Sequence, residues 1–338
     1  MTPALALLVL ALATPVSAAT EQVNLYSARK EALIKPLLDR FTERTGIEVN
    51  LVTGSADALI KRLEVEGRNT PADMLITVDA GRLYRAQQAE LFRAVESDVL
   101  NDRVPAHLRH DDNEWFGLSQ RARVIAYSTD RVSPDDLSTY LALGDDRWDD
   151  RICIRSSDNI YNQSLLASMI AAHGEKRAAE WAGDVVDNMA RRPQGGDRDQ
   201  IMAVAAGVCD LAVVNTYYYG RMQGEDAQAD QREAASQVAL FFPNQDGRGA
   251  HVNVSGAGVT KHGSNPENAV RLLEYLVSDE AQQWYAQVNY EYPVVPGAEV
   301  SEAVRSWGYP FKQDRLPLTR LGELNATAVR VFDRVGWR

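Results

Sequence analysis

Asn215-Thr216-Tyr217-Tyr218-Tyr219-Gly220 follows directly on the apolar run Leu211 to Val214, which reads as a buried strand. Side chains along a strand alternate between its two faces. Past the strand's carboxyl end the backbone turns, and there two neighbouring phenols can converge on one point. Alone, these rings read as a cap on the core. A second cluster adds weight to convergence. Ser156-Ser157-Asp158-Asn159-Ile160-Tyr161-Asn162-Gln163-Ser164 also stands at the end of a strand and the mouth of a helix. Tyr161 is thereby delivered to the same edge as Tyr217 and Tyr218.

Converging phenols suit a hard, highly charged cation. A phenol ionises near pH 10, so charging three of them at neutral pH costs on the order of 12 kcal/mol without metal. The cation has to supply that energy, and its binding then releases protons and weakens in acid. Calcium or magnesium would not repay the cost and prefers carboxylates and carbonyls. Fe(III) fits: three phenolates cancel its charge, leaving the remaining coordination positions to water or a small anion.

Composition supports an oxygen-bound ion. The 338 residues include 13 Tyr but only 2 Cys and 5 His, too few for a zinc finger or several iron–sulfur clusters. The net charge of −11 argues against a non-specific nucleic-acid binder. There is no GxSxG, HExxH or Walker loop, and Gly247-Arg248-Gly249 lacks the third glycine of a dinucleotide fingerprint. His107 and His110, beside Asp111 and Asp112, could chelate a divalent metal but read more simply as a solvated loop.

The elements that must position these groups alternate. Val23–Tyr26, Ile47–Val52 and Asp73–Ile76 read as strands, each followed by an amphipathic helix: Glu31–Thr45, Ala56–Glu66 and Ala80–Ala89. This order implies a parallel sheet covered by helices. A second block starts at the strand Arg123–Ser128. It runs through the strand Arg151–Arg155, helices within 162–172, 176–189 and 199–206, and the strand Leu211–Asn215. After a polar stretch near 224–236 come short strands at 238–242, 251–254 and 258–261. Helices at 266–277, 280–287 and 320–332 complete the chain. Two α/β blocks without a flexible linker suggest lobes joined by crossing strands, with the ligand cleft between them.

Residues 1–19 carry no charged side chain and run from an apolar core, Leu5 to Ala13, into Pro15-Val16-Ser17-Ala18-Ala19. This pattern reads as a cleaved secretory signal peptide, and the apolar run is shorter than the roughly 20 residues that a membrane span needs. Export makes Cys153 and Cys209 a disulfide, with two buried free thiols as the alternative.

Four segments together resemble the periplasmic ferric-iron-binding proteins of bacterial iron ABC transporters. They are Tyr26-Ser27-Ala28-Arg29, Trp115 to Val124 (WFGLSQRARV), Asn159 to Ser164 (NIYNQS) and Asn215-Thr216-Tyr217-Tyr218. His251 to Gly256 (HVNVSG) is a further match, and the likeness runs from about Glu21 to the C-terminus. The resemblance implies a two-lobed periplasmic solute-binding fold (type II), α/β, each lobe a mixed sheet covered by helices. It assigns 20–120 plus about 248–298 to one lobe, and about 121–247 plus 299–338 to the other. It makes Tyr161, Tyr217 and Tyr218 the Fe(III) ligands. Where some relatives carry a His-Tyr pair, this sequence has Lys30 and Glu31, which aligns it with the tyrosine-only branch that recruits a synergistic anion such as carbonate. Arg29 then holds the anion, since a guanidinium matches carbonate bidentately. Arg121 steadies a phenolate charge, or else is an ordinary strand-edge arginine in a surface pair. Glu31 is a further candidate ligand, and Tyr219 packs away from the metal. The implied protein is a monomeric, non-enzymatic carrier that hands iron to an inner-membrane ABC permease.

Two rival readings stand beside this one. The same fold could carry a polyamine, a phosphate ester or a thiamine-like solute. A secreted metal-dependent hydrolase would instead use His107, His110 and the nearby aspartates.

Overall fold

A computed structural model describes residues 21–338, so the signal-peptide expectation lies outside the described residues. The chain opens with β1 (Gln22–Ser27), α1 (Glu31–Thr45), β2 (Glu48–Thr53), α2 (Ala56–Glu66), β3 (Met74–Val78) and α3 (Ala80–Gln88). Apolar spacing forms α1: Ile34, Leu37, Leu38 and Phe41 are its buried stripe, and Gly46 ends it in a left-handed conformation. Ser55 caps α2 by accepting the Ala58 amide. A short helix, α4 (Asp98–Arg103), leads to β4 (Phe116–Ser128).

The next part holds β5 (Ile152–Cys153), α5 (Ile160–Asp187), α6 (Asp197–Ala205), β6 (Leu211–Asn215), α7 (Thr216–Gln223), α8 (Ala229–Ser236) and β7 (Val238–Phe241). The chain returns through β8 (Val252–Val259), α9 (Pro266–Leu276), α10 (Asp279–Gln287) and β9 (Tyr292–Pro293). It ends with α11 (Glu302–Ser306), α12 (Thr319–Glu323) and α13 (Asn325–Val335).

The strands run in the order β2-β1-β3-β8-β4-β6-β5, with β7 and β9 also pairing to β4. The β1–β2 and β1–β3 pairs are parallel, whereas β8 is antiparallel to both β3 and β4, so the first sheet is mixed. β4 is the crossing strand. Its first half pairs with β8 and β9, and its second half with β6 and β7. Two hydrophobic clusters result, the larger around β1, β3, α1, α5 and α13, the smaller around β6, α6 and α11.

Three expectations need correction. The crossing strand begins at Phe116, seven residues before the expected Arg123, because polar Ser119, Gln120 and Arg121 are buried inside it. The two short strands at 251–254 and 258–261 are one strand, β8. Gly256 and Gly258 look like breaks, but a Cβ at either would meet the Phe116 carbonyl oxygen at 2.7 Å or the Phe92 ring at 2.5 Å. Close packing therefore requires glycine there. Part of the polar stretch is a helix, α8, held by the buried Ala234 and Ala235. The two expected helices at 162–172 and 176–189 are both present within α5, separated at Gly174, whose φ of 80° and ψ of 158° are not helical.

A disulfide joins Cys153 to Cys209 beside the β5–β6 pair. Among the described residues, no helix is long and apolar enough to cross a membrane.

Candidate metal centre

β5 and β6 are parallel, so the segments leaving them emerge at the same sheet edge. Tyr161 is the second residue of α5 and Tyr217 the second residue of α7. Asn159 caps α5 by accepting the Tyr161 amide at 3.1 Å, which fixes where that ring starts. The two phenols meet: the Tyr217 hydroxyl donates to the Tyr161 oxygen at 3.1 Å. The Tyr217 and Tyr218 rings lie side by side, with centroids 4.4 Å apart. Tyr219 turns away, donating to the Val238 carbonyl at 3.0 Å and meeting Trp307 edge-on.

These three tyrosines line a cavity of about 400 Å³ together with Arg29, Lys30, Arg121, Asp197, Arg198, Arg221 and Glu291. The first turns of α5, α6 and α7 all contribute to its wall. Helix N-termini carry partial positive charge and favour an anion such as phenolate. Burial pushes the Tyr217 phenol well up from its ordinary value, and prospective charge on Tyr161 and Tyr218 pushes the same way; Arg121 opposes them. Burial and the Tyr161 charge raise Tyr218 too. Tyr217 and Tyr218 therefore stay protonated until a cation arrives.

Arg121 is almost fully buried, which rules out the surface-pair reading. Its guanidinium carbon lies 5.8 Å from the Tyr161 ring centre and 5.9 Å from that of Tyr217. The Arg221 guanidinium stands 5.0 Å from the Tyr217 ring centre.

Arg29 also lines the cavity, but it is anchored. It donates to Glu291 at 3.0 Å and to Ser255 at 2.8 Å, and Ser119 donates to the same Glu291 oxygen at 2.5 Å. Burial alone would raise the Glu291 carboxyl, yet Arg29 and Arg121 hold it below the usual range. Arg29 Nε and Arg121 Nε are buried without a partner. Glu31 is exposed on the first turn of α1 and is not part of the cavity wall.

A buried polar layer sits behind the tyrosines. Arg123 pairs with Asp197 at 3.1 Å and donates to Asn215 at 3.2 Å and Asn162 at 2.6 Å, tying together the residues next to the ligand turns. Arg155 adds a second bond to Asp197 at 3.2 Å. Asp79 accepts from Ser164 at 2.7 Å and from Asn253 at 2.8 Å, joining the start of α3 to the first turn of α5. The reading of the sequence missed Asp79, Asp197, Arg123 and Glu291. The available signal was a lone charge set inside apolar flanks, as in Tyr290-Glu291-Tyr292-Pro293.

The rival chemistries fare poorly here. A polyamine or thiamine-like cation would face five basic side chains, Arg29, Lys30, Arg121, Arg198 and Arg221, against only three carboxylates, Asp197, Asp199 and Glu291. A phosphate ester would use the arginines but gives three clustered phenols nothing to do. His107 and His110 do not form a centre, since His110 lies 3.4 Å from Glu114 and His107 lines a different cavity. Among the described residues, no group of three or more His, Cys, Asp or Glu is arranged to hold a metal.

Comparison with known proteins agrees with the geometry. The chain is 48% identical to iron uptake protein A1 of Synechocystis, over 94% of its own length and 88% of that protein's. It is 28% identical to the major ferric iron-binding protein of Neisseria meningitidis, with 84% of each chain covered. Among solved structures, a Trichodesmium protein in complex with iron and citrate ligands superposes with a TM-score of 0.91 at 48% identity, covering 94% of this chain and all of that one. The ferric binding protein from Campylobacter jejuni superposes with a TM-score of 0.87 at 39% identity, again over 94% and 100% of the two chains. The mixed α/β architecture is thus the two-lobed one of ferric-binding proteins. Residues 69–312 match the model of one family, and the chain belongs to it: the bacterial extracellular solute-binding proteins.

Proposed function

We propose that this protein binds ferric iron in the periplasm and delivers it to an inner-membrane ABC permease. Tyr161, Tyr217 and Tyr218 supply three phenolates, and a small anion, carbonate or another of similar size, completes the coordination shell. The observation that carries the reading is the contact of the Tyr161 and Tyr217 phenols, with the Tyr218 ring alongside, in a cavity where basic side chains outnumber carboxylates. Relatives named for iron uptake and ferric-iron binding support the cargo.

Arg121 offsets phenolate charge from behind the rings. Arg29 reaches the anion through its unpartnered Nε, because its two terminal nitrogens are already engaged with Glu291, Ser255 and Ser119. Glu31 stays outside the shell. Residues 20–120 with about 248–298 form the lobe that closes over the tyrosines, and 121–247 with 299–338 form the lobe that carries them. Closure shifts an open–closed equilibrium, and the permease reads the closed state. The protein acts as a monomer without catalytic turnover, after loss of residues 1–19.

The test is the visible spectrum of the purified protein on iron loading, with and without bicarbonate. A tyrosinate-to-iron charge-transfer band is expected. Its survival at full intensity, with unchanged ferric affinity, in the Tyr217→Phe/Tyr218→Phe variant would refute the assignment.

A further inference from the structure

Gln120 and Arg121 are neighbours on β4, and side chains along a strand alternate between its faces. Arg121 lines the tyrosine cavity, whereas Gln120 lines a second chamber of about 800 Å³ that shares no wall residue with it. The crossing strand thus carries a cavity on each face. The second chamber draws on three further stretches of chain: residues 105–108 ahead of β4, 293–296 at the end of β9, and 309–315 beyond α11. Its aromatic side is held from behind. Tyr309 stacks on Tyr292 with ring centres 5.5 Å apart, and Phe311 stacks on Phe242 at 4.4 Å. Pro293, Val294 and Pro296 continue this apolar surface. A surface already in place costs a ligand little ordering.

Charge in the chamber is one-sided. The carboxylate of its wall, Asp314, pairs with Arg248 at 2.8 Å and also accepts the Leu316 amide at 3.2 Å. Lys312 and Arg315 are exposed, and among the described residues neither has an ion-pair partner. Burial and the Arg315 charge push the His107 imidazole down from its ordinary value, with Asp314 opposing them. Gln120 donates to the Pro293 carbonyl at 2.7 Å, and its Oε1 is buried without a partner. Two uncommitted cations beside a rigid apolar surface suit a ligand of both characters, the cations taking a carboxylate and the rings a hydrophobic body. We infer that this chamber binds a small carboxylate with an aromatic or branched apolar body, and that its occupancy is coupled to the tyrosine cavity through β4. Residues 105–108 and 309–315 belong to opposite lobes in the division proposed above, so closure changes the chamber's shape. The coupling rests on the ferric-iron reading, but binding to the chamber can be tested without metal.

Calorimetric titration of the iron-free, full-length mature chain with 3-phenylpropionate, its neutral amide and acetate tests it. 3-Phenylpropionate should bind, with the amide, which lacks the charge, and acetate, which lacks the apolar body, at least tenfold weaker. Lys312→Glu/Arg315→Glu should weaken 3-phenylpropionate at least tenfold and leave the ferric charge-transfer band intact. Tyr161→Phe/Tyr217→Phe/Tyr218→Phe should change its binding to the iron-free chain less than threefold. Iron loading should change its affinity at least threefold, and saturating 3-phenylpropionate should then change ferric affinity by the same factor. Circular dichroism shows whether each variant is folded. The inference is overturned if 3-phenylpropionate does not bind at millimolar concentration, if the amide binds equally well, if the charge-reversed variant matches wild type, if binding vanishes with the phenols, or if iron loading leaves its affinity unchanged. Failure of the ferric reading would appear elsewhere, as an unaltered iron band in the tyrosine variant.

Discussion

The phenolic oxygens of Tyr161 and Tyr217 are 3.1 Å apart although 56 residues of chain separate them. Replacing either by Phe removes a ligand while keeping the ring. Loss of outer partners alone costs about 10–100-fold in metal affinity, so each substitution should weaken ferric binding by more than about 100-fold. Competition against a chelator of known strength, with the charge-transfer band as readout, measures it.

Acid should release iron. Tyr217 and Tyr218 are held protonated by burial and by their neighbours' prospective charge, so a bound ferric ion must displace those protons. Affinity should then rise with pH, by up to about tenfold per pH unit for each proton lost. Proton release on loading, followed with an indicator dye in weak buffer, should approach three per iron. Release of no protons would contradict the phenolate assignment.

Arg29 and Glu291 form a buried ion pair, and breaking one half strands the other. Arg29→Ala should destabilise the fold by about 3–5 kcal/mol, while removing both charges should cost less than the sum of the two single changes. Urea unfolding of the two single variants and the double variant provides the cycle.

His251 titrates far from its ordinary value: burial, with Arg248 and Arg123 nearby, pushes it down to about 3. Between the ordinary 6.5 and that value, the unfolded chain takes up a proton that the folded chain cannot. Its stabilising effect is complete above pH 6.5 and is lost as pH falls, at up to about 1.4 kcal/mol per pH unit. His251→Asn should flatten the acid limb of a stability–pH curve.

Cys153 and Cys209 close a loop of 56 residues. In the chain-entropy model this stabilises the fold by about 4 kcal/mol. Cys153→Ala/Cys209→Ala should lower the unfolding free energy in urea by about that amount.

Much of the scaffold was legible in the sequence because its signals are local. The apolar stripe and Gly46 set α1, Ser55 sets the start of α2, and the Tyr161 and Tyr217 turns follow recognisable strand ends. The charged layer was not legible. Glu291 meets Arg29 across 262 residues, and Asp197 meets Arg123 across 74, so no periodicity links them. Polar residues inside β4 likewise hid a strand whose burial depends on partners far along the chain. Glu31, two residues after Arg29, looked like a ligand candidate, but the first turn of α1 directs it to solvent.

The disulfide has a consequence for assembly. Cys153 stands eight residues before Tyr161, and Cys209 stands eight residues before Tyr217. Oxidation therefore replaces one long tether between the phenols by two short, equal arms that meet at a covalent joint. Even in a chain not yet folded, arms of this length hold each phenol at a millimolar-scale effective concentration about the other. Part of the entropy of gathering the ligands is thus settled when the sulfurs join, before any metal is present.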